Sequence, residues 1–417
     1  MTSEQSGGGV GPSVEMRMAF WEFVVYVAAC MAINALAIDI ILPALPAMSA
    51  ALSLVSENDR QNVVLIYVLG LGVSQLFFGP LADRFGRRPV LLLGFTIFAG
   101  ASVACAAAFN FALLLLARLV QGIGAGAARA LSISLVRDRF SGNEMGRVMS
   151  LVMMVFMIVP ILAPSLGQLI LFVAPWRWVF ATLFLSALGL FFWTLLRLRE
   201  SVRPEARLRF SVASVLGAYL QTFRNPMTLG YALAMGVVMG CLMAFIATAQ
   251  QVFQDVYEVG AGFTLLFALI ALFISVASFL NSRAVMRFGL RRVGHVALVG
   301  FVGTAALFSV LAWRGLLGLE EFIVLQGLLL FCFGFLGANF NALAMQPMGD
   351  IAGTAAAMGG FLSTTLGAVL GHFVGDGFDG SMLPLGLGYL GLGLLALLIA
   401  FVVRVLSRKQ PVREVPV

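Results

Sequence analysis

Apolar residues in this chain come in long unbroken runs, and polar residues punctuate them. Twelve runs stand out, at 20–46, 62–82, 89–109, 111–136, 148–173, 178–196, 227–252, 262–281, 293–313, 321–345, 353–375 and 383–405. A single helical crossing of a bilayer needs roughly 20 such residues, so each run predicts one transmembrane helix. One long polar stretch interrupts the series, at about 197–226, and carries Arg197, Arg199, Arg203, Arg207, Arg209 and Arg224. It divides the chain into a polar tail (1–19), a six-helix bundle (20–197), a linker (198–226), a second six-helix bundle (227–405) and a short tail (406–417). Within the linker, SVASVLGAYLQTF (211–223) is amphipathic and is expected to lie along the membrane surface. The expected fold class is an all-α membrane protein.

Composition sharpens the picture. Of 417 residues, 61% are hydrophobic and 11% charged, against roughly 25% charged in soluble domains. That much apolar surface needs lipid to cover it. The 45 glycines suit it, because small residues let membrane helices approach closely.

The net charge of +7 does not indicate a nucleic-acid partner, because the basic residues are segregated. Grouped by alternate loops, 21 of 26 fall on one side. They comprise one in the first tail, three in the loop 83–88, three around 137–147, six in the linker, four at 283–292 and four at the C-terminal end. The opposite side holds Arg60, Arg177 and Arg314, and two arginines lie within a span. By the positive-inside rule both termini are cytoplasmic. No cleavable leader is recognisable, since residues 1–15 are polar and the first run is too long for one, so the first span is expected to direct insertion. Cys30, Cys105, Cys241 and Cys332 all fall in apolar runs without CxxC spacing and read as buried apolar side chains.

An internal echo divides the chain equally. RFGRRP (84–89) follows the second span and RFGLRR (287–292) the eighth. Corresponding loops with the same opening favour a duplicated six-helix unit, making the two bundles pseudo-symmetric.

Charges at membrane depth cost at least about 2.5–3.5 kcal/mol each and are usually functional. Three stand out: Asp39 in the first span, Arg118 and Arg129 in the fourth. Asp39 and Arg118 each lie about seven residues from the outer end of their spans, roughly 10 Å down at 1.5 Å per residue. An acid and a base at matching depth can neutralise each other, either as a structural salt bridge or as a proton switch. Burial favours the neutral carboxyl and a nearby cation favours the ionised one. Arg129 follows Arg118 by eleven residues, on the same helix face and deeper toward the cytoplasm, with no acid at its level. Further polar residues in the spans are cavity candidates or interhelical glue: Tyr26, Asn34, Gln121, Gln250, Gln251, Asn339, Asn341 and His372.

Several segments resemble a known family. GPLADRFGRRPVLL (79–92) is similar to the signature loop between the second and third spans of the major facilitator superfamily. ARLVQGIGAGAA (117–128) resembles its fourth-span arginine motif, and VPILAPSLGQ (159–168) the fifth-span motif of proton-driven drug exporters. LAIDIILPALP (36–46), VRDRF (136–140), PWRWVF (175–180) and AGTAAAMGG (352–360) resemble the bicyclomycin- and chloramphenicol-resistance (Bcr/CflA) group. The resemblance spans nearly the whole chain. It implies the major facilitator fold and a latch holding the halves closed inside, built from Gly79, Asp83, Gly86, Arg87, Arg88 and Asp138. It also assigns proton coupling to Asp39 and Arg118. In the fifth-span motif Pro160 and Pro164 are expected to bend the helix, while Ala163 and Gly167 permit close packing. Ala163 and Gln168 replace glycines usual there, and Arg129 stands where the group has a small or polar residue. That last departure points to acidic or strongly hydrogen-bonding cargo.

The expected function is a proton-driven exporter of small lipophilic compounds such as antibiotics, acting as a monomer in a bacterial inner membrane. The proton gradient is the driving force and no cofactor is expected. No GxxxxGK[ST] phosphate loop is present to power an ATP-driven pump. No nucleophile–base set or metal-ligand cluster suggests an enzyme. A proton-coupled importer of a nutrient or organic anion on the same fold, and a transport-inactive sensor, are the alternatives.

Overall fold

The computed structural model describes residues 18–54, 56–140, 142–200 and 212–408. The first tail with Arg17, the linker arginines 203, 207 and 209, and the tail with Lys409 and Arg413 lie outside the described residues. Among the described residues there is no strand, and twelve helical segments are long and apolar enough to cross a membrane.

The first half comprises α1 (Phe20–Asp39), α2 (Leu45–Ala51), α3 (Asn62–Phe85), α4 (Arg87–Ala106), α5 (Phe111–Arg137), α6 (Gly142–Val173) and α7 (Arg177–Arg197). The amphipathic α8 (Val212–Arg224) precedes the second half, α9 (Pro226–Gln251), α10 (Phe263–Phe288), α11 (Leu290–Trp313), α12 (Leu319–Met345), α13 (Ala352–Asp376) and α14 (Leu383–Arg408). On α8, Leu216, Leu220 and Phe223 form an exposed apolar stripe.

The first span is longer than its apolar run suggests. A 3-10 turn over Leu42–Ala44 joins α1 to α2, so the crossing extends from Phe20 to Ala51. Pro43 and Pro46 each sit in the first turn of a new helical segment, where a missing N–H costs nothing. Asp39 therefore lies at a break inside the span, twelve residues from its outer end.

Elsewhere the sequence sets the boundaries through caps. The Asn110 side chain accepts from Leu113 N at 2.8 Å, and Asn225 accepts from Met227 N and Thr228 N ahead of Pro226. Gly86 (φ +98°) and Gly289 (φ +79°) end α3 and α10 in the left-handed region that other residues resist. Each starts the next helix with the same turn, so the two RFG loops are structural equivalents. Gly79 and Pro80 lie within α3.

The halves repeat the same packing: α3 on α5, α4 on α5, α4 on α7 and α1 on α6 correspond to α10 on α12, α11 on α12, α11 on α14 and α9 on α13. Between the halves, α3 meets α13 and α6 meets α10, contacts that exchange under the same two-fold relation. Pro160 and Pro164 sit within a continuous α6. Ala163 is buried, and Gly167 lies against the Ile40 carbonyl where α1 ends.

Gly167→Leu is expected to force α6 away from α1 and cost about 1–3 kcal/mol, as over-packed sites do. Gly79→Ala, where a methyl meets open space, should leave thermal stability of the purified protein unchanged.

Candidate functional site

At the arginine-rich face, Arg87 at the start of α4 gathers two acids. Its Nη1 donates to Asp83 Oδ1 at 2.7 Å and its Nε to Asp138 Oδ2 at 3.1 Å. The three groups come from the ends of α3, α4 and α5, and Arg87 is buried. Glu200 completes the turn by accepting from the backbone N–H of Arg87 (2.8 Å) and Arg88 (3.2 Å). The Arg88 side chain donates to the Leu195 carbonyl at 2.8 Å. Tyr219 on α8 donates to the Leu76 carbonyl at 2.7 Å. Burial, with the nearby Asp83 carboxylate, pushes its phenol up to about 12, so it remains a donor at physiological pH. Nearby, Glu22 binds Arg197 at 2.6 Å, tying α1 to α7.

Inside the first bundle, Arg118 has no exposed surface. It donates to the Val63 carbonyl (2.9 Å), the Ala37 carbonyl (3.1 Å) and Gln121 Oε1 (2.6 Å), and its guanidinium lies 4.3 Å from the Tyr67 ring centroid. The expected Asp39–Arg118 pair is corrected: among the described residues no ion pair joins them. The guanidinium instead grips the α1 backbone one half-turn before Asp39. The extension of the first span also removes the matched depth that suggested the pair. Asp39 is 95% buried and has no hydrogen-bond partner among the described residues.

The cavity candidates separate into two kinds. Tyr26 bonds Thr194 on α7 at 2.7 Å, Gln121 bonds Ser102 on α4 at 2.7 Å, and Asn339 bonds Asn281 on α10 at 2.8 Å. All three are fully buried and hold helices together within one half, the interhelical one of the two readings open for them. Asn34 and Gln250 are buried with polar atoms unpartnered among the described residues. Asn341 is exposed, and His372 is half-buried beside Phe373.

Arg129 shares the α5 face of Arg118, opposite Leu116 and Val120, which are exposed at the outer half of the helix. It is nevertheless solvent-exposed, and among the described residues no hydrogen bond or ion pair reaches it.

Sequence reasoning missed the tie at the face opposite the arginine-rich one. Arg60 forms an ion pair with Asp255 across the halves. Asn58 Nδ2 donates to the carbonyls of Asp376 (3.0 Å) and Phe378 (2.9 Å). Gln61 Nε2 donates to Gln251 Oε1 (2.6 Å) and the Gly375 carbonyl (3.1 Å), and Gln251 Nε2 to Asn58 Oδ1 (2.8 Å). Arg60 and Gln61 are buried. At the face opposite the arginine-rich one, one polar cluster therefore joins the two halves. The signal was present as SENDRQ (56–61), with more hydrogen-bonding groups than a short connection needs.

Residues 27–372 match the family model of the Major Facilitator Superfamily. The chain belongs to this superfamily. It is 30% identical over 342 residues to an uncharacterized MFS-type transporter, YdgK, of Bacillus subtilis, covering 81% of this chain and 84% of the relative. It is 29% identical to a bicyclomycin resistance protein homolog of Haemophilus influenzae, covering 81% and 84%. It is 28% identical to the multidrug resistance protein MdtL of Escherichia coli, covering 79% and 80%. Among solved structures, the E. coli xylose transporter XylE in a partially occluded inward-open conformation superposes with a TM-score of 0.71 at 13% identity, covering 95% and 99%. The human organic anion transporter MFSD10 superposes at 0.63 with 19% identity, covering 92% and 100%. This superfamily member is thus a multi-pass membrane transporter, similar to the Bcr/CflA drug-resistance group, and not an enzyme.

Two substitutions test the opposed ties. Arg60→Gln is expected to loosen the outer cluster and raise labelling of a cysteine placed at Asn341 by an impermeant reagent from outside. Asp83→Asn should lower transport several-fold at normal membrane levels, because one of the two acids holding Arg87 is lost. Unaltered labelling or transport would remove the corresponding tie from the gating account.

Proposed function

We propose that this transporter exports small lipophilic compounds in exchange for protons, working as a monomer by alternating access in a bacterial cytoplasmic membrane. The observation that carries the reading is Asp39: a carboxylate inside a span, at a helix break, with Arg118 engaged elsewhere. An ionised carboxylate without a cation at this depth is costly, and a proton removes that cost. The names of the drug-resistance relatives support export and lipophilic cargo.

In this scheme the outer cluster is closed and cargo enters from the cytoplasmic side. Separation of Asn58, Arg60 and Gln61 from the second half opens the outer path and hydrates the Asp39 region. Asp39 then takes up a proton as cargo leaves. Return to the inward-facing state, stabilised by the outer cluster, brings release of that proton inside. Arg118 acts as a positioning residue: by holding the Ala37 carbonyl it sets where α1 breaks and where the Asp39 carboxyl points.

Arg129 favours a narrower cargo class within this reading. An interior, accessible and unpaired guanidinium suits a compound with an acidic or hydrogen-bond-accepting group on an apolar body. The same residue would serve an importer of organic anions, and the direction of coupling separates the two.

Expression of the chain in a pump-deficient bacterium should lower accumulation of at least one lipophilic antimicrobial, and an uncoupler should restore it. Drug-induced proton release from purified protein should be lost in Asp39→Asn while drug binding persists. Equal release from wild type and variant would assign the proton to another group, and drug-dependent uptake driven by an inward proton gradient would favour the importer.

A further inference from the structure

We propose that the groove between α10, α11 and α12 at the arginine-rich face is a binding site for one anionic phospholipid. A cavity of about 490 Å³ opens there on the outside of the second half, away from the residues of either gate. Its volume falls within the roughly 300–1,000 Å³ range of small-molecule sites. The space exists because Ala284, Ala297 and Gly300 present little side chain at the helix junction, while Phe331 and Phe335 wall it from α12. Val296 and Phe288 on the rim are 66% and 51% exposed. The groove runs along α11 from Arg292 to Gly300, about 12 Å at 1.5 Å per residue. One leaflet of hydrocarbon is about 15 Å thick. An acyl chain therefore fits its length and its apolar lining.

The headgroup end is set by charge. Arg292 lines the mouth of the cavity at the start of α11, is exposed, and makes no hydrogen bond or ion pair among the described residues. Arg283, Arg287 and Arg291 belong to the same turn region. The two repeats differ in the acids around this turn. In the first half the RFG turn is preceded by Asp83, and the Arg87 guanidinium is held by Asp83 and Asp138, while Glu200 accepts from the backbone N–H of Arg87 and Arg88. In the second half, aligned on Gly86 and Gly289, the place of Asp83 is taken by Met286, which is 88% exposed. The residues from 283 to 292 contain no acid. The second repeat has the turn and the basic residues without the acids, so its guanidinium groups stand beside an apolar slot. Basic pockets of this kind between spans select anionic headgroups.

The test uses the full purified chain, delipidated in mild detergent and titrated with phosphatidylglycerol or phosphatidylcholine under native mass spectrometry. Wild type is expected to retain one phosphatidylglycerol in preference to phosphatidylcholine. Arg292→Gln should lower phosphatidylglycerol occupancy by roughly fivefold, the equivalent of about 1 kcal/mol for one arginine near a lipid surface, and leave phosphatidylcholine unchanged. Ala297→Phe, which fills the slot and leaves the arginines, should lower occupancy by both lipids. Millimolar inorganic phosphate should not displace the lipid. Equal retention of the two lipids, an unaltered Arg292→Gln, or displacement by phosphate would each overturn the proposal. Should Ala297→Phe fail to fold, the surface change at Arg292 decides alone.

Discussion

Hydrocarbon offers no hydrogen bonds, so every polar group within the membrane must be satisfied by the protein itself or by water the protein admits. Arg118 shows the first solution: three donations to two backbone carbonyls and one amide, an aromatic ring beneath the guanidinium, and no exposed surface. Around it, Gln121 passes the network on to Ser102, and so α1, α3, α4 and α5 are bound at one point. Arg129, on the same helix face, keeps accessible surface and has no hydrogen-bond or ion-pair partner among the described residues.

The same constraint accounts for the placement of movable contacts. Within each half, helices meet through close apolar packing and glycine contacts, which resist separation. Between the halves at the outer face the ties are polar: an ion pair, two amide–amide contacts and amide donations to carbonyls at the end of α13. Such bonds exchange for water at modest net cost, about 0.5–1.5 kcal/mol each. A polar seam between apolar bundles is thus a place where the molecule can open without unfolding. At the opposite face the acid-held Arg87 orders the loop in the first repeat only, so the pseudo-symmetry of the helices does not extend to their charges.

Much of the architecture was legible along the chain. Run length predicted twelve crossings, and the paired RFG loops predicted repeats that pack alike. Those signals are strong because lipid imposes them on each segment independently. The Asp39–Arg118 pair was not legible correctly, because depth was counted from position 46 as the end of the first span. Pro43 and Pro46 instead begin new helical turns and carry the span to Ala51. Tyr26, Gln121 and Asn339 read as cavity residues from their polarity alone. Their direction depends on rotation about the helix axis relative to neighbours that the sequence does not name.

The sequence by itself determined the class of molecule, its number of spans, the segregation of its charges and the location of its signature loop. These follow from composition and local spacing, since the cost of placing a charge or a bare backbone in lipid applies residue by residue. Tertiary structure decided which buried groups are spent and which are left available. It turned Arg118 toward the α1 backbone and left Asp39 without an ion-pair partner. It also brought Asn58, Arg60 and Gln61 against a half of the chain nearly two hundred residues and more away. The reason is that hydrogen bonds and ion pairs act over a few ångströms, and the packing of helices distant in sequence sets which groups come within that reach.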